Sequence, residues 1–263
     1  MTLAFLALAL IHRKQLLPIS RQTFLSGAFV GIFLTAGYQF QTAGLARTTP
    51  AKSGFITGLV VVFVPIFTAI PALRPTGTPA PRWTAAFGAL LAFSGLLLLT
   101  TPPGTTTADI FHTIGAGDLL TLACAIAFAA HLLAIAHVAS RIPTAQLATL
   151  QIGAAALIMA VTLPLGGKPY LHLTLRLIIA LAITSLLATA AAFTIQSWAQ
   201  QHLPPTHTAI LLTLEPVFAG IASYLFLHER LGIRALFGAL LIFGGIGLTE
   251  LLSLVKPVSI PAA

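Results

Sequence analysis

Of five acidic residues in the chain (Asp109, Asp118, Glu215, Glu229 and Glu250), only Glu215 falls near the middle of a long apolar run, residues 207–227. The other four sit in loops or at run ends, where a carboxylate stays hydrated. An ionised side chain at the centre of a bilayer costs roughly 2.5–3.5 kcal/mol on insertion scales. A carboxyl there is expected to carry its proton, or to take it up and release it. Pro216 follows directly and cannot donate to the Leu212 carbonyl, so a helix through this run should kink or loosen there. A carboxyl beside a freed carbonyl makes a polar centre for a substrate or a proton. The same residues also suit a protonated glutamic acid hydrogen-bonded inside a bundle and holding helices together.

His131, within the apolar run 118–139, is the next candidate. Histidine titrates near neutrality, so it suits a proton relay or an anion site, and it equally suits a satisfied structural position. His137 lies nearer the end of that run, beside Arg141, and reads as interfacial. Gln41 and Gln196, with their neighbours Thr42 and Ser197, occupy matching positions in two similar segments. Paired amides of this kind either line a shared cavity or act as interhelical glue worth on the order of 1 kcal/mol each. Tyr38 and Trp198 line the same space or anchor at the membrane interface. Asp118 follows Gly117 at the start of a run, where a carboxylate caps free backbone amides.

Several catalytic and metal chemistries are excluded. Gly115-Ala116-Gly117-Asp118 fits the GxGD pattern of intramembrane aspartyl proteases, but that reaction needs a second aspartate inside another helix. The only other one, Asp109, lies in a threonine-rich loop. No GxSxG elbow, phosphate loop or HExxH motif occurs. A single cysteine, Cys124, rules out an intramolecular disulfide and a cysteine metal cluster, and it reads as a small core residue. No cofactor, no metal and no enzymatic activity are expected.

The elements that must carry these residues follow from composition. Hydrophobic residues make up 57% of the chain and charged residues 7%, with a mean hydropathy of +1.00. A soluble domain carries about a quarter charged residues, so the chain is an all-α polytopic membrane protein with the lipid bilayer as its first partner. Its net charge of +8 comes from Lys and Arg scattered singly between apolar runs, which gives no basic face for nucleic acid. Runs long enough to span lie at about 23–46, 51–70, 83–100, 118–139, 144–164, 175–199, 207–227 and 234–252. Residues 1–11 form a shorter apolar stub followed by His12-Arg13-Lys14, the reverse of the charge order in a secretory signal. Nine helices are therefore expected. The Pro/Thr/Gly-rich stretch 71–82 and residues 101–117 separate them.

An internal duplication orders the helices. Phe87–Gly95 reads FGALLAFSG and Phe237–Gly245 reads FGALLIFGG. The match extends to Phe40-Gln41-Thr42 with Ile195-Gln196-Ser197, Pro50 with Pro205, and Pro65-Ile66-Phe67 with Pro216-Val217-Phe218. The second copy, 118–252, holds five runs, and an odd number per copy makes the two copies cross the membrane in opposite directions. The first copy, 1–100, shows four, so a ten-helix pattern lacking its first helix is expected. Residues 101–117 connect the copies and 253–263 form a tail. With the His12–Arg21 loop placed in the cytoplasm, Lys and Arg divide seven inside to six outside, and six to two through Arg141, which favours that orientation.

With these residues in view, the chain resembles the EamA type of the drug/metabolite transporter superfamily. The resemblance is carried by Gly54–Pro65, by Gly117-Asp118-Leu119-Leu120, and by Leu214-Glu215-Pro216-Val217-Phe218 continuing through His228-Glu229-Arg230-Leu231 into Phe237–Leu241. It implies ten helices in two inverted five-helix repeats, cytoplasmic termini, a central cavity, and export of small metabolites such as amino acids or related compounds. The first repeat departs from the pattern, with Val64-Pro65 where the second has Glu215-Pro216. The expectation is a multipass carrier in the inner or plasma membrane, exporting a small-molecule substrate by alternating access. Glu215 and Pro216 would form a polar hinge, with Gln41, His131 and Gln196 along the path, and a homodimer is compatible with the sequence. A lipid flippase or scramblase and a truncated, non-transporting membrane protein are the alternatives.

Overall fold

The computed structural model describes residues 1–100, 104, 115–163, 172–227 and 232–254. Among them every regular element is helical: α1 (Thr2–Ile11), α2 (Arg21–Leu45), α3 (Pro50–Thr57), α4 (Val60–Ala69), α5 (Trp83–Thr100), α6 (Ala116–Val138), α7 (Thr144–Thr162), α8 (Leu175–Ser185), α9 (Ala192–Ala199), α10 (Pro205–Leu212), α11 (Glu215–Leu227) and α12 (Ile233–Leu254). These map onto the nine apolar runs because three runs are interrupted. Residues 51–70 divide into α3 and α4, residues 207–227 into α10 and α11, and a π turn at Leu186–Ala191 joins α8 to α9. Five stretches are long and apolar enough to cross a membrane: Arg21–Leu45, Lys52–Ala69, Ala116–Val138, Thr144–Thr162 and Leu175–Ala199. Large side chains such as Leu10, Phe29, Leu157, Leu187, Leu225 and Leu240 lie exposed on the helix surfaces, an arrangement suited to lipid and not to water. Of the expected connector, only Gly104 and the residues from Gly115 on are among those described, and the tail from Val255 lies outside them.

Two compact units divide the chain: Met1–Tyr38 with Ala130–Leu203, and Gln39–Ala129 with Pro204–Ala263. In the first, Val30 of α2 packs with Ala134 and Ile135 of α6, with Ala139 and Ile142 in the turn after it, and with Leu147 of α7. Gly31 lets α2 approach α7 at backbone distance, since a Cβ there would come within 2.6 Å of the Gln151 carbonyl oxygen. Gln146 Nε2 donates to the Gln15 carbonyl at 2.9 Å and so ties α7 to the loop before α2.

In the second unit the most extensive packing is between α5 and α12, the helices carrying the duplicated nonapeptide. Gly88 faces Gly245 and Gly95 faces Gly238. A Cβ on Gly245 would lie 2.5 Å from the Gly88 carbonyl oxygen, and one on Gly238 would lie 2.5 Å from that of Gly95. Each copy's first glycine thus meets the other copy's last. The helices are antiparallel, and a local two-fold axis relates the two copies of the motif. Without side chains at the contact the backbones come close enough for Cα–H···O contacts, the usual means of holding helices together where lipid removes the hydrophobic incentive. Val61, Ala89, Ala92 and Ile210 form one core cluster beside this pair, and Leu96, Val217 and Ile242 another.

Asp118 sits in the first turn of α6, where its Oδ2 accepts from the Gly115 backbone N–H at 2.8 Å, as a capping carboxylate should. The same side chain also binds Thr48 Oγ1 through Oδ1 at 2.7 Å and Lys52 Nζ through Oδ2 at 2.6 Å. Cys124 is fully buried, as expected of a core residue, with Thr57 Oγ1 3.9 Å from its sulfur.

Replacing Gly95 or Gly238 by alanine should force α5 and α12 apart and lower stability by about 1–3 kcal/mol, the usual range for overpacking. Thermal unfolding in detergent micelles measures this. Gly54→Ala is the control: nothing lies within 4 Å of a Cβ built at Gly54, so this variant should match or exceed the parent in stability.

Candidate functional site

At Thr213 and Leu214 the helical ladder tightens. Thr213 N–H donates to the Ile210 carbonyl at 3.0 Å and Leu214 N–H to Leu211 at 3.1 Å, both three residues back, and the ladder resumes with Phe218 to Leu214 at 2.9 Å. Pro216 supplies no N–H for Leu212, so the interruption lies where the sequence requires one. Glu215 is the first residue of α11 and its side chain is exposed, with no hydrogen bond to a described residue. Glu215 is therefore not a bundle-internal glutamic acid tying the described helices together.

The repeat-related run is broken too. Leu59 N–H donates to Ile56 at 3.1 Å, Val61 to Gly58 at 3.1 Å and Val62 to Leu59 at 2.9 Å, which separates α3 from α4. This break precedes Pro65, which lies buried inside α4. The two broken helices pack on each other. Thr68 Oγ1 and Thr206 Oγ1 are 3.3 Å apart, and Val61 and Ile210 share a core cluster. That antiparallel register puts the break at Gly58–Leu59 level with the break at Thr213–Leu214. Only the second carries an acid.

The other unit holds a closed polar chain. His131 Nε2 and Gln151 Oε1 are 2.8 Å apart, Gln151 Nε2 donates to Ser197 Oγ at 2.9 Å, and Ser197 Oγ donates to the Phe193 carbonyl at 2.7 Å. His131 is 2% exposed, and Gln151 and Ser197 are 0% exposed. The Phe193 ring meets the imidazole edge-on at 5.7 Å and Tyr38 at 6.4 Å. Farther along, Gln200 Nε2 donates to the Leu132 carbonyl at 2.9 Å, and Gln201 Nε2 to Ala139 at 3.0 Å and Ile142 at 3.2 Å. Each amide crosses from one helix to another, which is the form that interhelical glue takes.

Of the residues singled out from sequence, Glu215, Pro216 and Gln41 belong to one unit, and His131, Tyr38, Gln196 and Trp198 to the other. Gln41, Gln196 and Tyr38 are half-buried, whereas Trp198 is exposed and lies tilted against His202 with ring centroids 5.2 Å apart. Gln151 was not anticipated, although it is the only amide in the interior of the 144–164 run. The Lys52–Asp118 pair was also missed, because its partners lie far apart in sequence. The His228–Leu231 part of the signature and Asp109 lie outside the described residues. Among those described, no group of three or more His, Cys, Asp or Glu could hold a metal. Gln151→Leu should cost about 1–3 kcal/mol by leaving His131 Nε2 without its partner and removing the donor to Ser197 Oγ. In a thermal double-mutant cycle, His131→Phe with Gln151→Leu should cost less than the two singles summed.

Residues 115–251 match the EamA-like transporter family. A curated relative from Archaeoglobus fulgidus, named an uncharacterized transporter, is 33% identical over 219 residues, which are 83% of this chain and 66% of the relative. The chain thus spans just under two thirds of that relative's length. Among solved structures, one crystal structure superposes with a TM-score of 0.77 at 19% identity, over 97% of this chain and 85% of the other, and it speaks for the fold alone. The duplicated, antiparallel helix pair, the broken helices and the family match agree: this chain belongs to the EamA-like transporter family.

Proposed function

We propose that the protein is a multipass carrier of the inner or plasma membrane that exports a small organic metabolite, an amino acid or a related compound, by alternating access. One observation carries the reading: two antiparallel helices, one from each repeat, are broken at the same level, and Glu215 opens the second half of one of them. Broken helices put unpaired carbonyls and helix starts at membrane depth, where continuous helices offer a solute nothing polar. Glu215 and Pro216 act as the polar hinge, and Glu215 exchanges a proton during the cycle. Gln41, Gln196 and Tyr38 contribute polar groups to the path, while His131 stays out of it, held by Gln151. Trp198 supports its own helix from the exposed side.

A lipid-translocating role is the second reading. Leu99, Val217, Ile221, Leu236, Leu240 and Phe243 line a groove of about 390 Å³ that would admit an acyl chain. Its lining is apolar throughout, so it offers no passage to a polar headgroup, and a soluble solute remains the better substrate.

The test compares metabolites released by cells expressing the parent, Glu215→Gln or an empty vector. A compound enriched only with the parent identifies the substrate class and puts Glu215 on the route. Release by Glu215→Gln with the parent's dependence on external pH would sink proton exchange at Glu215. Labelled-lipid movement in vesicles, with no solute released, would favour the second reading.

A further inference from the structure

The half-helix α3 is held in two different ways along its length. Near the break its contacts are apolar: the Phe55 ring lies 4.9 Å from that of Phe93 on α5, and Gly58 abuts the Leu96 side chain. At its far end the contacts to α6 are polar and converge on one carboxylate. Lys52 Nζ is 2.6 Å from Asp118 Oδ2 and Thr48 Oγ1 is 2.7 Å from Asp118 Oδ1, with side-chain exposures of 16% for Lys52 and 7% for Asp118. At the last residue of α3, Thr57 Oγ1 lies 3.9 Å from the fully buried thiol of Cys124. Toward the outside, nothing lies within 4 Å of a Cβ built on Gly54, so that face is open. Ser53 Oγ, by contrast, is buried with no hydrogen-bond partner among the described residues, so one polar group of α3 is left unsatisfied in the closed position.

We infer that α3 is a lid that swings on the Gly58–Leu59 break and is latched shut by the Lys52–Asp118 ion pair. At the hinge, bonds to the residue four back give way to bonds three back, which is where a helix can change direction without losing donors. Opening admits water to Lys52, Asp118 and Ser53 together, so the polar groups released from α6 are solvated as they separate. The inference deepens the transport reading and rests on it for its purpose, since such a lid would close one side of the path. Its geometry can be tested without any substrate.

Cys124, the chain's one cysteine, reports lid opening directly. The full chain is reconstituted in phospholipid vesicles and its rate of reaction with N-ethylmaleimide is followed by mass spectrometry. The neutral pair Lys52→Gln/Asp118→Asn removes the latch without stranding a charge, and it should label roughly tenfold faster than the parent, as expected when one buried ion pair no longer opposes opening. Parental labelling in the neutral pair would overturn the inference. So would an equal acceleration at a cysteine introduced as Ala134→Cys in a Cys124→Ala background, because that site is buried in the other unit and would report general loosening. Neither result depends on whether the protein transports a solute, so failure of the latch and failure of the transport reading are separate outcomes.

Discussion

Backbone contact between α5 and α12 is the constraint on which the second unit rests. Four glycines bring the two helices together, and the neighbouring helices of the unit pack against the ridge they form. Val61 of α4 and Ile210 of α10 lie against Ala89 and Ala92, and Val217 of α11 lies against Leu96 and Ile242. Both broken helices therefore pack against a contact made chiefly of backbone and small residues. Because the contact is two-fold symmetric, it also brings the equivalent broken helices of the two repeats side by side. A larger residue at any of the four glycines would disturb the helices that bear the polar chemistry while leaving every polar residue in place.

Lack of water in the hydrocarbon core explains why polar side chains are treated so differently in the two units. In the unit that contains His131, each polar group of the chain meets another: an imidazole to an amide, the amide to a hydroxyl, the hydroxyl to a carbonyl. Such a closed series resists rearrangement, since moving one member strands its neighbours. In the unit that contains Glu215, the helices are interrupted and the acid at the break has no partner among the described residues. One arrangement favours rigidity and the other favours change.

Much of this was legible in the sequence because lipid imposes a simple rule on it. Apolar runs of the right length became helices within a few residues of the expected ends, from α2 at Arg21–Leu45 to α12 at Ile233–Leu254. The repeat announced the antiparallel pair, and Pro216 announced the break before α11, because a missing N–H is a local fact. The break at Gly58–Leu59 was hidden: Pro65 is the visible helix breaker in that run, yet it lies inside α4. The ladder tightens instead at Gly58, where the backbone lies against the Leu96 side chain of another helix. For the same reason Asp118 reads only as a helix cap, and Lys52 does not stand out at all. Nothing in either segment shows that the chain returns to join them.

The π turn at Leu186–Ala191 sets the phase of everything that follows it in its span. Its closing N–H, from Ala192, reaches the Leu187 carbonyl five residues back, and Thr189 Oγ1 donates to the Thr184 carbonyl at 2.9 Å. A π turn amounts to one residue inserted into an α-helix, and each residue turns the helix by about 100°. Shortening the turn by one residue would leave an unbroken helix of nearly the same composition and hydropathy. Ser197, Gln200 and Gln201 would then be carried about a quarter-turn around the axis, away from Gln151, Leu132 and Ala139. The span would still cross the bilayer, but its polar face would look toward lipid. Insertion into the membrane and assembly of the unit are thus encoded separately in this segment, the first by its hydrophobicity and the second by a single residue of angular offset.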